Sequence, residues 1–149
     1  MATTPQLIVL ATDFSNEAGR AYGQVVAMAR KPGAQILLVH VVESLPIAAH
    51  AAPLAPVQLP PDMTVLVKSA QLQMAQEVQK LGTSVHVQVA CVPGVDVART
   101  IVELAAERGA SFIAISTHGR TGLRRLVLGS VAEAVVRHAT VPVICYPAK

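Results

Sequence analysis

Five short apolar runs, separated by stretches of helical periodicity, constrain this 149-residue chain more than any other feature. They are Leu7–Ala11, Ile36–Val42, Val85–Ala90, Phe112–Ile115 and Val141–Tyr146. Four are apolar almost without a break. A strand that is apolar on both sides must be covered by helices on both sides. Val85–Ala90 instead alternates, with His86 and Gln88 at every second position, which suits a strand nearer the sheet edge. Between the runs, apolar residues recur every three or four positions. Asn16–Arg30 carries Ala18, Ala21, Val25 and Ala29, and Asp62–Leu81 carries Val67, Ala70, Met74, Val78 and Leu81. Asp96–Arg108 carries Val97, Ile101, Leu104 and Ala105, and Ser130–His138 carries Val131, Ala134 and Val135. Gly33, Gly82 and Gly109 follow three of these stretches as stops. Strict strand–helix alternation predicts parallel strands joined by right-handed crossovers, in a doubly wound α/β sheet with helices on both faces.

The length predicts one domain. A hydrophobic content of 52% against 14% charged residues excludes a disordered chain. The apolar runs are far short of the roughly 20 residues a spanning helix needs. No basic stretch precedes the first run, so a cytoplasmic location is expected, with no membrane partner. The net charge of +3, the 3% aromatic content and the absence of Trp argue against a nucleic-acid surface. Cys91 and Cys145 lie in apolar runs with no CxxC pattern and are expected to be buried reduced thiols. One segment breaks the rhythm. Glu43–Pro61 holds five prolines and no period, and exceeds an ordinary strand–helix loop. It suits either a tolerated insertion or a lid or partner-binding loop.

In an open parallel sheet, ligands bind beyond the carboxyl ends of the strands where the winding reverses. The first run ends in Ala11-Thr12-Asp13-Phe14-Ser15, and the fourth continues as Ser116-Thr117-His118-Gly119-Arg120-Thr121-Gly122-Leu123-Arg124-Arg125. The second loop leads through Gly129-Ser130 into the last helix. Glycines let backbone N–H groups approach an anion, and a helix N-terminus adds unpaired donors, so the chemistry suggested is phosphate binding. Ser130 opens Ser-Val-Ala-Glu, a capping-box pattern. It therefore either caps the helix alone or caps it and contacts phosphate. Asp13 suits an N-cap of the first helix, a hydrogen bond to a ribose or base, or a metal contact. Arg120, Arg124 and Arg125 give the loop a basic character that a solvated surface loop would also show. His118 has no nucleophile beside it in sequence, so no catalytic residue is assigned.

These same segments resemble the universal stress protein family over nearly the whole chain. The resemblance is carried by Ile8–Ser15, Leu38–Val42, Ser116–Leu123, and Leu128–Glu133 with Val141-Pro142-Val143. It implies strand order 3-2-1-4-5 in a single domain, residues 1–149, and a homodimer paired through strand 141–146. One branch of the family binds ATP through Gly, two residues, Gly, nine residues, Gly, then Ser or Thr. Gly119, Gly129 and Ser130 fit that spacing, while Ser116 stands where the first glycine belongs. The resemblance further implies that Thr12, Asp13, Val41 and Ile115 line a nucleoside pocket, with Val41 against adenine. Gly119, Gly129, Ser130 and Val131 would hold phosphates, and Ala11, Ser116, His118 and Arg120 complete the expected site. The implied function is a cytoplasmic stress-response regulator that binds ATP, with or without Mg2+. No Walker-type lysine follows a glycine loop and no carboxylate lies between Ser116 and Ser130, so slow or no hydrolysis is expected. The alternatives are a nucleotide-free interaction module of the same family, and a weak ATPase or autophosphorylating enzyme. A flavodoxin-like electron carrier fits poorly, because few aromatics are present to shield a flavin.

Overall fold

Strand β1 (Leu7–Ala11) lies at the centre of the sheet, and Ile8, Val9 and Leu10 have no solvent exposure at all. The computed structural model describes residues 6–44, 62–117 and 128–147. After β1 come α1 (Asn16–Gly19), α2 (Tyr22–Ala29) and β2 (Gln35–Glu43). Then follow α3 (Met63–Leu81), β3 (His86–Gly94), α4 (Val97–Glu107), β4 (Phe112–Ser116), α5 (Ser130–His138) and β5 (Val143–Tyr146). The five strands form one sheet in the order β3-β2-β1-β4-β5, and every pairing is parallel.

Side chains alternate across each strand, so consecutive apolar residues feed two separate cores. Ile8, Leu10, Ile36, Leu38 and Phe112 pack with Tyr22, Val25 and Met74 on the α2–α3 face. Val9, Leu37, Val39, Ile113 and Ile115 pack with Ile101, Ala105 and Val135 on the α4–α5 face. That is the physical reason the runs read as unbroken apolar stretches. Helix starts follow the sequence closely. Asp62 and Asp96 are N-caps whose carboxylates accept from the amides of Thr64 and Arg99.

Four expectations need correction. The single helix expected over Asn16–Arg30 is two, because the amides of Arg20 and Ala21 reach back three residues, to Glu17 and Ala18, and tighten the turn ahead of buried Tyr22. The third strand runs on to Gly94, since Pro93 is tolerated on an edge strand. The last strand starts at Val143 and not Val141, because Pro142 has no N–H to pair, although its carbonyl still accepts from Ile113. Both cysteines are half-buried, on strands at opposite edges of the sheet, and are not joined in a disulfide. Burial raises both thiols above the ordinary range. Of the proline-rich stretch 43–61, Glu43 ends β2, and 45–61 lies outside the described residues.

Gly94 ends β3 at a point where no side chain fits. A Cβ there would lie 2.9 Å from Val41 Cγ1 and collide with Thr100 Oγ1. The Thr100 hydroxyl is itself held by the Asp96 carbonyl at 2.7 Å. Gly94→Ala is expected to lower stability by about 1–3 kcal/mol, the usual cost of overpacking. Urea denaturation measures it, and an unchanged midpoint would show that Thr100 swings clear.

Candidate functional site

The carboxyl ends of β1 and β4 lie side by side where the strand order reverses, and a cleft of about 570 Å³ opens there. Its first wall is the end of β1. The Thr12 amide donates to the Val39 carbonyl at 2.9 Å, which carries the pairing one residue past the strand. Asp13 Oδ1 accepts from the amide and the hydroxyl of Ser15, at 3.0 and 2.5 Å. Ser15 Oγ in turn accepts the Ala18 amide, so Ser15 is the N-cap of α1 and Asp13 braces it from the cleft side.

Between them, Phe14 adopts a left-handed backbone with φ of 65°, a conformation that costs a side-chain-bearing residue energy. Two contacts hold it there. Its amide donates to Thr12 Oγ1 at 3.1 Å, and its ring stacks on the His40 imidazole with centroids 4.0 Å apart. His40 Nδ1 lies 2.8 Å from the Thr12 carbonyl, which only accepts, so Nδ1 carries the proton.

Behind Thr12 lies a buried polar chain. The Tyr22 hydroxyl sits 3.0 Å from Thr12 Oγ1 and donates to Glu77 Oε2 at 2.5 Å. Glu77 is 4% exposed, and its other oxygen meets Lys80 Nζ at 2.6 Å. Burial first, and the Glu77 carboxylate second, push the Tyr22 phenol well above its ordinary range. The neutral phenol is thus favoured in the folded state. The unfolded chain loses this proton near pH 10 while the native state keeps it, so stability falls as pH rises above about 10. Denaturation midpoints at pH 9 and 11 are expected to show that fall, with a shallower slope in Tyr22→Phe. Tyr146, Cys91 and Cys145, all raised by burial, add to the fall.

The opposite wall is the start of α5. Its N-cap is Gly129, with φ of −58° and ψ of 155°. Ser130 is the first helical residue, so the expected capping box is not formed. Glu133 donates its amide to the Gly129 carbonyl and places its carboxylate on Arg137 at 2.6 Å. The Gly129 amide is committed to the Thr117 carbonyl at 2.7 Å. The amides of Ser130, Val131 and Ala132 have no acceptor within the helix, and all three residues line the cleft.

Ala11, Thr12, Asp13, Val41, Ile115, Ser116, Gly129, Ser130 and Val131 are brought together on this one cleft. His118, Gly119 and Arg120, with Arg124 and Arg125, lie outside the described residues. Sequence reasoning missed Phe14 and His40, and also the α3 face made by Leu66, Ser69 and Gln73. Their spacing of three and four was visible, but not that this face overhangs the strand ends. Among the described residues, no group of three His, Cys, Asp or Glu side chains could hold a metal ion, and no helix is long and apolar enough to cross a membrane.

A parallel sheet with β1 central, a cleft at its winding reversal and a helix start without a side-chain cap on the rim define an open-sheet α/β protein with its cleft where such folds bind ligands. The universal stress protein family model matches residues 5–147, and the chain belongs to that family. The universal stress protein MJ0531 of Methanocaldococcus jannaschii is 31% identical over 146 residues, covering 92% of this chain and 79% of that one. The solved structure of MJ0577, from the same organism, superposes with a TM-score of 0.78 at 23% identity and covers 99% of both chains. The universal stress protein of Archaeoglobus fulgidus, solved in complex with dAMP, gives a TM-score of 0.63 at 22% identity, covering 95% of this chain and 97% of that one.

Proposed function

We propose that this protein binds ATP in the cleft between β1 and β4 and acts as a nucleotide-responsive stress regulator with slow or no hydrolysis. One observation carries the reading. The cleft is lined by apolar Val41 and Ile115, by a carboxylate, Asp13, and by the residues that open α5, whose amides have no acceptor within the helix. A nucleoside needs the walls and a polar anchor, and a phosphate chain needs the amides and the positive end of the helix dipole. The volume lies in the usual range for small-ligand pockets, roughly 300–1,000 Å³. The dAMP bound by the Archaeoglobus relative supports adenine as the base. Val41 would face adenine, and Asp13 with Thr12 would face the ribose. Ser130 and Val131 would hold phosphate through N–H groups, with Gly129 supplying room and not a donor. Mg2+ would arrive on the phosphates, since the described residues offer no cluster for it.

The further parts of the proposal are a cytoplasmic location and a single domain over 1–149. A homodimer through the outer edge of β5 completes it, because Val143, Ile144 and Cys145 are only half-buried on an edge strand. Calorimetry with ATP and Mg2+ tests the central claim, and heat of binding at one nucleotide per chain is expected. The rival reading, a nucleotide-free interaction module, rests on Ser116, which lines the cleft at the place where the motif of the family's ATP-binding branch calls for glycine. Absence of any heat, with an unmoved melting temperature, would leave that reading standing.

A further inference from the structure

A buried carboxylate is costly to retain, and Glu77 lies on α3, outside the proposed ligand contacts. Its place in the hydrogen-bond chain gives it a task. Both Glu77 oxygens accept, Oε1 from Lys80 and Oε2 from Tyr22, so the single proton of the Tyr22 hydroxyl goes to Glu77. The Tyr22 oxygen then faces Thr12 Oγ1 as an acceptor, and the Thr12 hydroxyl donates to it at 3.0 Å. With its proton committed, Thr12 Oγ1 turns a lone pair to the Phe14 amide at 3.1 Å. That bond helps hold Phe14 in its left-handed conformation, immediately after Asp13. Lys80, half in solvent, pairs with the other Glu77 oxygen at 2.6 Å and orients the carboxylate.

We propose that Glu77 and Tyr22 are positioning residues for the ligand cleft. Acting through Thr12, they fix the direction of each hydrogen bond in the chain that runs from Glu77 to the Phe14 amide. This deepens the ATP reading and rests on it for its effect on affinity, but the turn itself can be observed without any ligand. The first experiment therefore measures backbone amide exchange by NMR in the ligand-free protein. Tyr22→Phe removes the link and leaves the ring. The Phe14 amide is expected to exchange at least tenfold faster in this variant, with the Val25 amide, bonded within its own helix, unchanged.

The second experiment measures ATP affinity by calorimetry. Tyr22→Phe and Thr12→Val are expected to weaken ATP by about three- to tenfold, the worth of one hydrogen bond. Leu81→Ala serves as the control for lost stability alone, since Leu81 is buried at the far end of α3. It should lower the melting temperature without moving affinity. Unchanged Phe14 exchange in Tyr22→Phe overturns the proposal. So does affinity that follows melting temperature across the three variants. Wild-type protein that binds no ATP overturns the proposed function instead, and the exchange result then decides the positioning role by itself.

Discussion

Replacing Ser130 with proline is expected to weaken ATP binding by about 10- to 100-fold while the melting temperature stays where it was. Proline is well suited to the first helical position, where the N–H has no partner in the helix and the fixed φ is already helical. The residue before a proline must be extended, and Gly129 is, with ψ of 155°. Since Gly129 is the N-cap and makes no side-chain cap bond, the helix loses nothing when Ser130 changes. What disappears is one amide donor on the cleft. Hydrogen bonds to charged acceptors are worth about 1.5–3 kcal/mol, which gives the stated range. Ser130→Ala separates the two groups on this residue, because it removes the hydroxyl and keeps the amide. Calorimetry on both variants, beside thermal melts, reads the outcome. A proline variant that binds like wild type would remove the α5 amides from the proposed phosphate site.

Leu38→Ala is expected to cost about 3–4 kcal/mol, the largest stability effect among the substitutions considered. Leu38 is wholly buried in β2, between Leu10 on β1 and Val89 on β3. It lies in the core between the sheet and α2–α3, where Leu10, Val25 and Met74 are also sealed from solvent. Removal of three carbons there leaves a void that these neighbours cannot fill without leaving their rotamers. For a chain of this size the melting temperature should fall by about 10 °C. Val89→Ala, on the edge strand and 46% exposed, is the matched comparison and should cost well under half as much. Guanidinium denaturation of both variants gives the ratio. Equal losses would mean that the α2–α3 face is loosely packed.

The architecture was legible because each apolar run belongs to two cores at once. Val9 and Leu10 look alike in sequence, yet they face α4–α5 and α2–α3 respectively, and only a sheet covered on both sides uses both. Boundaries were legible where a side chain fixes the backbone, as with the caps Asp62 and Asp96. They were misread where a local pattern had a tertiary answer. Ser130–Glu133 has the letters of a capping box, but Gly129 takes the cap position and Glu133 turns to Arg137. The strand ends that form the cleft were visible from Ala11–Asp13 and Ser116. His40 was hidden inside an apolar run, where one polar residue says nothing of its stacking on Phe14. The chain from Thr12 through Tyr22 to Glu77 was invisible, because a helix carrying one more acidic residue reads as solvated. Only the packing of α3 on the sheet buries that carboxylate.

The order in which the ribosome delivers these pieces bears on when the cleft exists. Ile8 pairs with Phe112, and Val9 with Ile113, more than a hundred positions later in the chain. While β1, β2 and β3 are already out and able to zip together, one flank of β1 remains an open template until β4 emerges. Because the cleft is the seam between β1 and β4, no nascent N-terminal portion possesses it. A ligand of that cleft therefore cannot guide the early steps of folding, and any stabilising pull it exerts begins only once the last third of the polypeptide has been made.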